Sequence, residues 1–160
     1  MATDHSMHSR PYLRLAAMVL LSFIAMYILM YAMVDRFGHV YNSLNQVYMA
    51  ALMAAPMLVI ELVLMGSMYP DKQRNAVLMA VGVAALLLFW LLIRWQVAIE
   101  DRQFLRSMIP HHSGAVLMCE EASLSDPRLQ DLCRRIVESQ LAEIAEMEAL
   151  MAEPRDETGS

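Results

Sequence analysis

Three long apolar runs constrain this chain more than any other feature. They cover residues 15–34, 47–68 and 76–93, and the first and third contain no charged residue. Each is long enough for a helix that crosses the hydrocarbon core of a bilayer, which takes about 20 residues. A signal peptide has a shorter apolar region, so the first run is interpreted as a retained span. The sequence therefore predicts three transmembrane helices joined by short links.

Composition and charge exclude several classes of protein. Hydrophobic residues make up 58% of the 160 residues and charged residues 18%, which excludes a disordered chain and is unusual for a water-soluble domain. The net charge is -5 and most acidic residues follow Glu100, so no basic face is available for a nucleic acid. The sequence contains no recognisable nucleophile motif or zinc-enzyme motif. We therefore expect a lipid bilayer as a partner, no nucleic acid, and no enzyme activity.

The chain changes character after Trp95. Residues 97–123 and 127–152 each follow the apolar periodicity of an amphipathic helix. Between them, Ser125 or Asp126 can cap the second helix, and Pro127 suits its first position. These signals predict a helical hairpin with its turn near Asp126.

Folding the hairpin about this turn predicts which residues of the two helices lie level. Cys119 falls opposite Cys133, and His112 falls opposite Gln140. The two cysteines can form a disulfide if this side of the membrane is oxidising, and two free thiols or a soft-metal pair are the alternatives.

We predict four segments along the chain. They are a flexible N-terminal tail (1–14), a three-span, Met-rich membrane domain (15–95), a helical hairpin domain (96–152) and a disordered tail (153–160). Basic residues are balanced on the two sides of the spans, so the positive-inside rule gives no orientation. Two amphipathic helices alone bury little apolar surface, which favours a homodimer whose paired hairpins complete a four-helix bundle. Docking of the hairpin onto the third span is the alternative.

Methionine is unusually frequent, with 16 residues, and in the spans it recurs at helical spacing. Thioether sulfur is a soft ligand that favours Cu(I), and by the same logic Ag(I), whereas the alternative role is flexible packing. Glu61 lies well inside a span, so it should face another helix, a water-filled pocket or a bound cation. The alternative is a protonated carboxyl group that forms a hydrogen bond with a hydroxyl such as that of Ser22. The predicted thioether ladder comprises Met26, Met30, Met33, Met49, Met53, Met57 and Glu61.

The sharpest local motif is Met108-Ile-Pro-His-His112. Pro110 removes a backbone donor, which predicts that the helix kinks or restarts there. Imidazole nitrogen and thioether sulfur together form a mixed ligand set that suits Cu(I). A single histidine on such a helix face is more often a packed core residue. The predicted metal ligands are Met108, His111, His112, Met118, Glu143 and Met147.

The stretch from Asp101 to Met118, with the later Gln140-Leu-Ala-Glu-Ile-Ala-Glu-Met147, resembles the DUF305 family of domains of unknown function, which includes CopM-like copper-binding proteins. The resemblance covers about residues 100–151. It implies a helical, ferritin-like arrangement, export to the periplasm, and copper binding or resistance. Ser113 departs from the pattern, since glutamine is common there, and some relatives have two hairpins. The positions that match are Met108, His111, His112, Met118, Gln140, Glu143 and Met147.

These observations predict an all-α protein of the bacterial inner membrane, with three transmembrane helices followed by a ferritin-like hairpin that faces the periplasm. Its expected function is to capture or buffer Cu(I), with a copper-handling protein as a further partner. The alternative is a membrane-anchored structural or interaction module in which the methionines only pack.

Overall fold

The computed structural model describes residues 4–153, with side chains from residue 11 onward, and this part of the chain is all-helical. Short 3-10 turns lie at Met30–Met33, Phe37–His39 and Gly66–Met68 in the links. The absence of strands within residues 4–153 agrees with the predicted all-α class. The helices are α1 (Asp4–Leu29), α2 (Leu44–Leu64), α3 (Lys72–Arg94), α4 (Asp101–Glu121) and α5 (Pro127–Ala152).

The N-terminal helix begins earlier than the sequence predicts. Helix α1 starts at Asp4 and continues through Pro11, so residues 4–14, predicted as part of a flexible tail, are helical. Once a helix has formed, each residue added to its end contributes a hydrogen bond without a new nucleation step. The apolar periodicity of the sequence does not indicate such an extension. Residues 1–3, and residues 154–160 of the predicted C-terminal tail, lie outside the described part.

The chain divides into two compact units. Unit 1 consists of residues 1–30 and 45–97, and unit 2 consists of residues 31–44 and 98–160. Residues 31–44, here called the link, were predicted as part of the membrane domain. The structure instead packs the link with α4 and α5.

Unit 1 contains three helices that are long and apolar enough to span a membrane. Helix α2 is the most covered of the three, and its buried residues include Ala50, Ala54 and Ala55. Small residues let helix backbones approach closely, which is how helices pack in lipid. Gly82 of α3 shows the same principle, because a Cβ added there would lie 2.8 Å from Val59 Cγ2.

In unit 2, α4 and α5 pack along each other and run antiparallel. Ile109 and Val116 of α4 are buried, together with Ile144 and Met147 of α5. This pattern follows from the amphipathic stripe of each helix. Helix α4 runs unbroken through Pro110, so it does not restart there.

The turn between α4 and α5 has the predicted capping. The Asp126 carboxylate accepts a hydrogen bond from the Arg128 backbone N–H at 2.9 Å, and Pro127 is the first helical residue. Cys119 and Cys133 form a disulfide with their Cα atoms 5.2 Å apart. The structure thus selects the disulfide among the three states that the sequence left open. The ferritin-like arrangement and the dimeric bundle stay predictions.

The link is held on α4 by polar contacts. The Asp35 N–H donates to Ser113 Oγ at 2.9 Å, and the Leu44 N–H donates to Gln103 Oε1 at 2.9 Å. The chain also approaches α4 closely, since a Cβ added at Gly114 would lie 3.3 Å from the Met33 carbonyl oxygen. Unit 2 is therefore built from three packed segments rather than from two helices alone.

Candidate metal centre

His112 is the buried imidazole of the predicted motif. Its residue surface is 9% exposed, and its Nδ1 lies 2.8 Å from the Met108 carbonyl oxygen, one helical turn earlier. Because a carbonyl oxygen can only accept a hydrogen bond, Nδ1 carries the proton. Nε2 is therefore the nitrogen turned toward α5.

Glu143 on α5 faces this nitrogen. Its Oε2 lies 2.7 Å from His112 Nε2, and its Oε1 accepts a hydrogen bond from Ser139 Oγ at 2.8 Å. The hydrogen bond from Ser139 and then the one from His112 lower the pKa of Glu143 below its ordinary value. Glu143 is thus a carboxylate at neutral pH, and a metal ion bound at Nε2 would take the place of the contact between His112 and Glu143.

The sequence predicts that His112 lies level with Gln140, and the His112 side chain contacts Glu143, about one turn further along α5. Side chains on a helix point toward its N-terminus, so in an antiparallel pair the two sets of side chains lean in opposite directions. The His112 ring therefore leans away from the turn, whereas the Glu143 side chain leans toward it. The two side chains meet although their Cα atoms are not level.

A methionine cluster lies on the same two helices. Met108 and Met151 pack against a buried core of Ile109, Ile144 and Met147. Met147 lies four residues after Glu143 and so shares its face of α5. The apolar periodicity places Met151 on the same stripe of α5 as Met147, but Met151 was not among the predicted ligands.

Two predicted ligands lie apart from this cluster. The His111 side chain is exposed, and its ring packs edge-on against His112 with centroids 6.1 Å apart. Met118 is 55% exposed. Among the residues that the structure describes, no three His, Cys, Asp or Glu side chains form a metal-sized group. A metal site on α4 and α5 therefore needs thioether ligands besides His112 and Glu143.

A second buried histidine was missed by sequence reasoning. His39 of the link places Nδ1 3.0 Å from Ser113 Oγ, and its Nε2 lies 3.9 Å from Glu148 Oε1. Ser113 is fully buried and also accepts the Asp35 N–H, so it joins the link to α4 beside His112. His39 precedes Ser113 by 74 residues and lies outside any periodic segment, so no sequence pattern linked them.

The predicted thioether ladder is spread over both units. Met33 belongs to unit 2, whereas Met49 and Met53 are exposed on α2. The hydroxyl partner of Glu61 is Tyr69, which donates to Oε1 at 3.1 Å, and not Ser22. Tyr69 reaches Glu61 because the 3-10 turn at Gly66–Met68 bends the chain back after α2. The use of this set as metal ligands stays a prediction.

The fold and the site define an all-helical protein with three membrane-length helices and a helix pair that carries a histidine, a carboxylate and methionines. Residues 88–151, which include α4 and all of α5 except Ala152, match a family described as "Domain of unknown function (DUF305)". The chain is 33% identical over 139 residues to "Uncharacterized protein L153" of Acanthamoeba polyphaga mimivirus, covering 85% of this chain and 90% of that protein. No solved structure matches the chain. The chain belongs to the DUF305 family.

Proposed function

We propose that this protein is a membrane-anchored copper-binding protein that captures or buffers Cu(I), and not an enzyme. The observation that carries the proposal is His112, whose Nδ1 proton is fixed by the Met108 carbonyl so that Nε2 faces Glu143. A histidine ligand is commonly oriented in this way, with one ring nitrogen bonded to a backbone carbonyl and the other bound to the metal. The resemblance to copper-associated members of the family favours the same ion.

The proposed ligands are His112 and the methionines of the neighbouring cluster. Met108 and Met147 supply sulfur, and Glu143 supplies an oxygen or orients the imidazole. Nitrogen and sulfur together suit Cu(I) or Ag(I), whereas Mg²⁺ and Ca²⁺ prefer shells made only of oxygen. Because protons compete with the metal for an imidazole nitrogen, copper affinity should fall as the pH falls.

The proposed location is the bacterial inner membrane, with unit 2 on the periplasmic side. Three membrane-length helices support the membrane anchor. The Cys119–Cys133 disulfide supports an oxidising compartment for α4 and α5, since disulfides persist in the periplasm and are rare in the cytosol.

We also propose that the protein forms a homodimer through α4 and α5, giving a ferritin-like four-helix bundle. Large apolar side chains remain exposed on both helices, which a second copy would cover. Mass measurement in mild detergent tests this, and a monomer at all concentrations would contradict it. A copper-handling protein is the further partner proposed. The exposed apolar residues are Phe104, Met118, Leu129, Leu132 and Leu150.

One observation favours a second function, that of a structural or interaction module. His112 and Glu143 already satisfy each other at 2.7 Å, as a buried histidine does in a protein that binds no metal. The copper content of protein purified from cells grown with copper separates the two functions. The module would carry no copper above the background of an unrelated membrane protein.

The sharper experiment is a competition titration of the full-length protein against a Cu(I) chelator. His112→Ala with Met108→Leu removes one nitrogen and one sulfur ligand, so we expect affinity to fall about 100-fold or more. His111→Ala with Met118→Leu makes the same chemical changes at exposed positions and should leave affinity nearly unchanged. Unchanged affinity in the first variant, with normal helicity, would show that this site is wrong.

A further inference from the structure

Unit 1 contains a cavity of about 340 Å³ in which several chemically distinctive side chains meet. Its lining combines a carboxylate, two thioethers, a phenol and an arginine, and these groups come from α1, α2 and the turn that follows α2. They are Glu61, Met18, Met68, Tyr69 and Arg14.

The carboxylate is the group that needs an explanation. Glu61 lies on α2, a helix of membrane length, where an acidic side chain is costly unless it faces protein, water or an ion. Its Oε1 accepts the Tyr69 hydroxyl at 3.1 Å, and Tyr69 is itself buried with its ring 5.4 Å from that of Tyr12. A carboxylate offers about four acceptor positions, and this bond uses one. The tyrosine therefore fixes Glu61 and leaves it capacity to bind.

The two methionines line the cavity from different segments of unit 1. Met18 of α1 packs against the buried cluster of Leu15, Leu62 and Tyr69. Met68 ends the 3-10 turn just before Tyr69 and is 54% exposed. Leucine would fill the same space, so the additional property of these residues is a soft ligand atom.

We propose that this cavity is a second binding site for a soft monovalent cation, Cu(I) or Ag(I), with Met18, Met68 and Glu61 as ligands. The choice of ion rests on the proposed function, whereas the site itself does not. One carboxylate neutralises one monovalent charge, and two thioethers select a soft ion over Na⁺ or K⁺. Arg14 is exposed, so its long side chain can extend its charge into water away from the ligands.

The test is a calorimetric titration of the full-length protein in detergent with Ag(I), which has no redox chemistry under these conditions. We expect two equivalents to bind, and Met18→Leu with Met68→Leu should remove one of them. Glu61→Gln keeps the size and an acceptor oxygen but removes the charge, so it should weaken this site about tenfold or more. Met79→Leu is the matched control, because Met79 packs against the same buried cluster but does not line the cavity.

This design tests the cavity site and the site on α4 and α5 independently. In a His112→Ala, Met108→Leu background one equivalent should remain, and the Met18 and Met68 changes should remove it. If neither these changes nor Glu61→Gln alters Ag(I) binding while His112→Ala with Met108→Leu removes one equivalent, the cavity site is wrong and the site on α4 and α5 stands. If only the cavity variants lose an equivalent, the cavity site stands and the site on α4 and α5 is wrong.

Discussion

Units 1 and 2 are both helical, yet they bury different kinds of residue. The buried positions of α2 are mostly alanines, while large side chains such as Leu20 and Ile28 of α1 are exposed. In unit 2 the buried set includes large aliphatic side chains such as Ile109 and also polar residues, among them His112 and Ser113. This difference is the one expected between helices that pack in lipid and helices that pack in water.

This difference indicates which of the two units can bury polar side chains. Apolar side chains gain little from leaving lipid, so helices there pack through small residues. In water, burial of the apolar stripe drives α4 and α5 together, and polar groups are buried only with partners. His112, His39 and Ser113 each have such a partner, which is why we assign the principal site to unit 2.

The largest expected effect compares one apolar truncation in each unit. Ile109 is fully buried, so Ile109→Ala should destabilise unit 2 by about 2–5 kcal/mol. Ile28 is 61% exposed on α1, and Ile28→Ala should change stability by about 0.5 kcal/mol or less. Denaturant titration, followed by hydrogen exchange of α4 and α5 for Ile109→Ala and of α1 for Ile28→Ala, measures the two effects. Equal effects would contradict the contrast between the units.

Removal of the disulfide should affect unit 2 and spare unit 1. Cys119 and Cys133 are 14 residues apart, and opening a loop of about this length costs about 3 kcal/mol. Cys119→Ser with Cys133→Ser should therefore accelerate hydrogen exchange in α4 and α5 and leave α2 unchanged. An equal increase in hydrogen exchange in both units would contradict the contrast between them.

The next smaller effect tests the contact between the link and α4. Ser113→Ala leaves the Asp35 N–H and the His39 ring without their partner, so we expect a loss of about 1–3 kcal/mol. Hydrogen exchange at the Asp35 amide should rise first. Ser125→Ala, at an exposed position, is the control and should leave that amide unaffected.

The smallest effect is a dependence of unit 2 stability on pH. Because folding lowers the pKa of Glu143, its contribution is complete above the pKa of the unfolded chain and is lost as the pH falls through the lower folded value. Below about pH 4.3, the stability of unit 2 should therefore fall less steeply in Glu143→Gln than in the parent protein. The pKa values of Asp126 and Asp131 are also lowered by neighbouring arginines. These two residues account for the dependence of stability on pH that remains in the variant. Superimposable curves for the variant and the parent protein would refute this role for Glu143.

Features that depend on local pattern were predicted from the sequence. The three membrane-length helices follow from uninterrupted apolar runs, and the Asp126 cap follows from its neighbour Pro127. The pairing of Cys119 with Cys133 follows from a short turn, which leaves few registers for two helices. Each of these involves residues close together in the chain.

Features that depend on distant contacts or on side-chain direction were not predicted. The docking of His39 and Asp35 on Ser113 joins a link to a helix more than 70 residues later, and a link has no periodicity to indicate its partner. Glu143 was predicted as a ligand or as a residue that orients a histidine, but its contact with His112 in particular depends on how the two side chains lean. The separation of His111 and Met118 from the methionine cluster likewise depends on which face of α4 packs against α5.

The central claim is that one copper ion is bound by the His112 nitrogen and by methionine sulfur in unit 2. X-ray absorption at the copper edge tests it most directly, using protein loaded with one equivalent of Cu(I) in the Met18→Leu, Met68→Leu background. We expect a nitrogen shell together with a sulfur shell around the copper, and loss of the nitrogen shell in His112→Gln. A shell of sulfur alone, or one unchanged by His112→Gln, would contradict it.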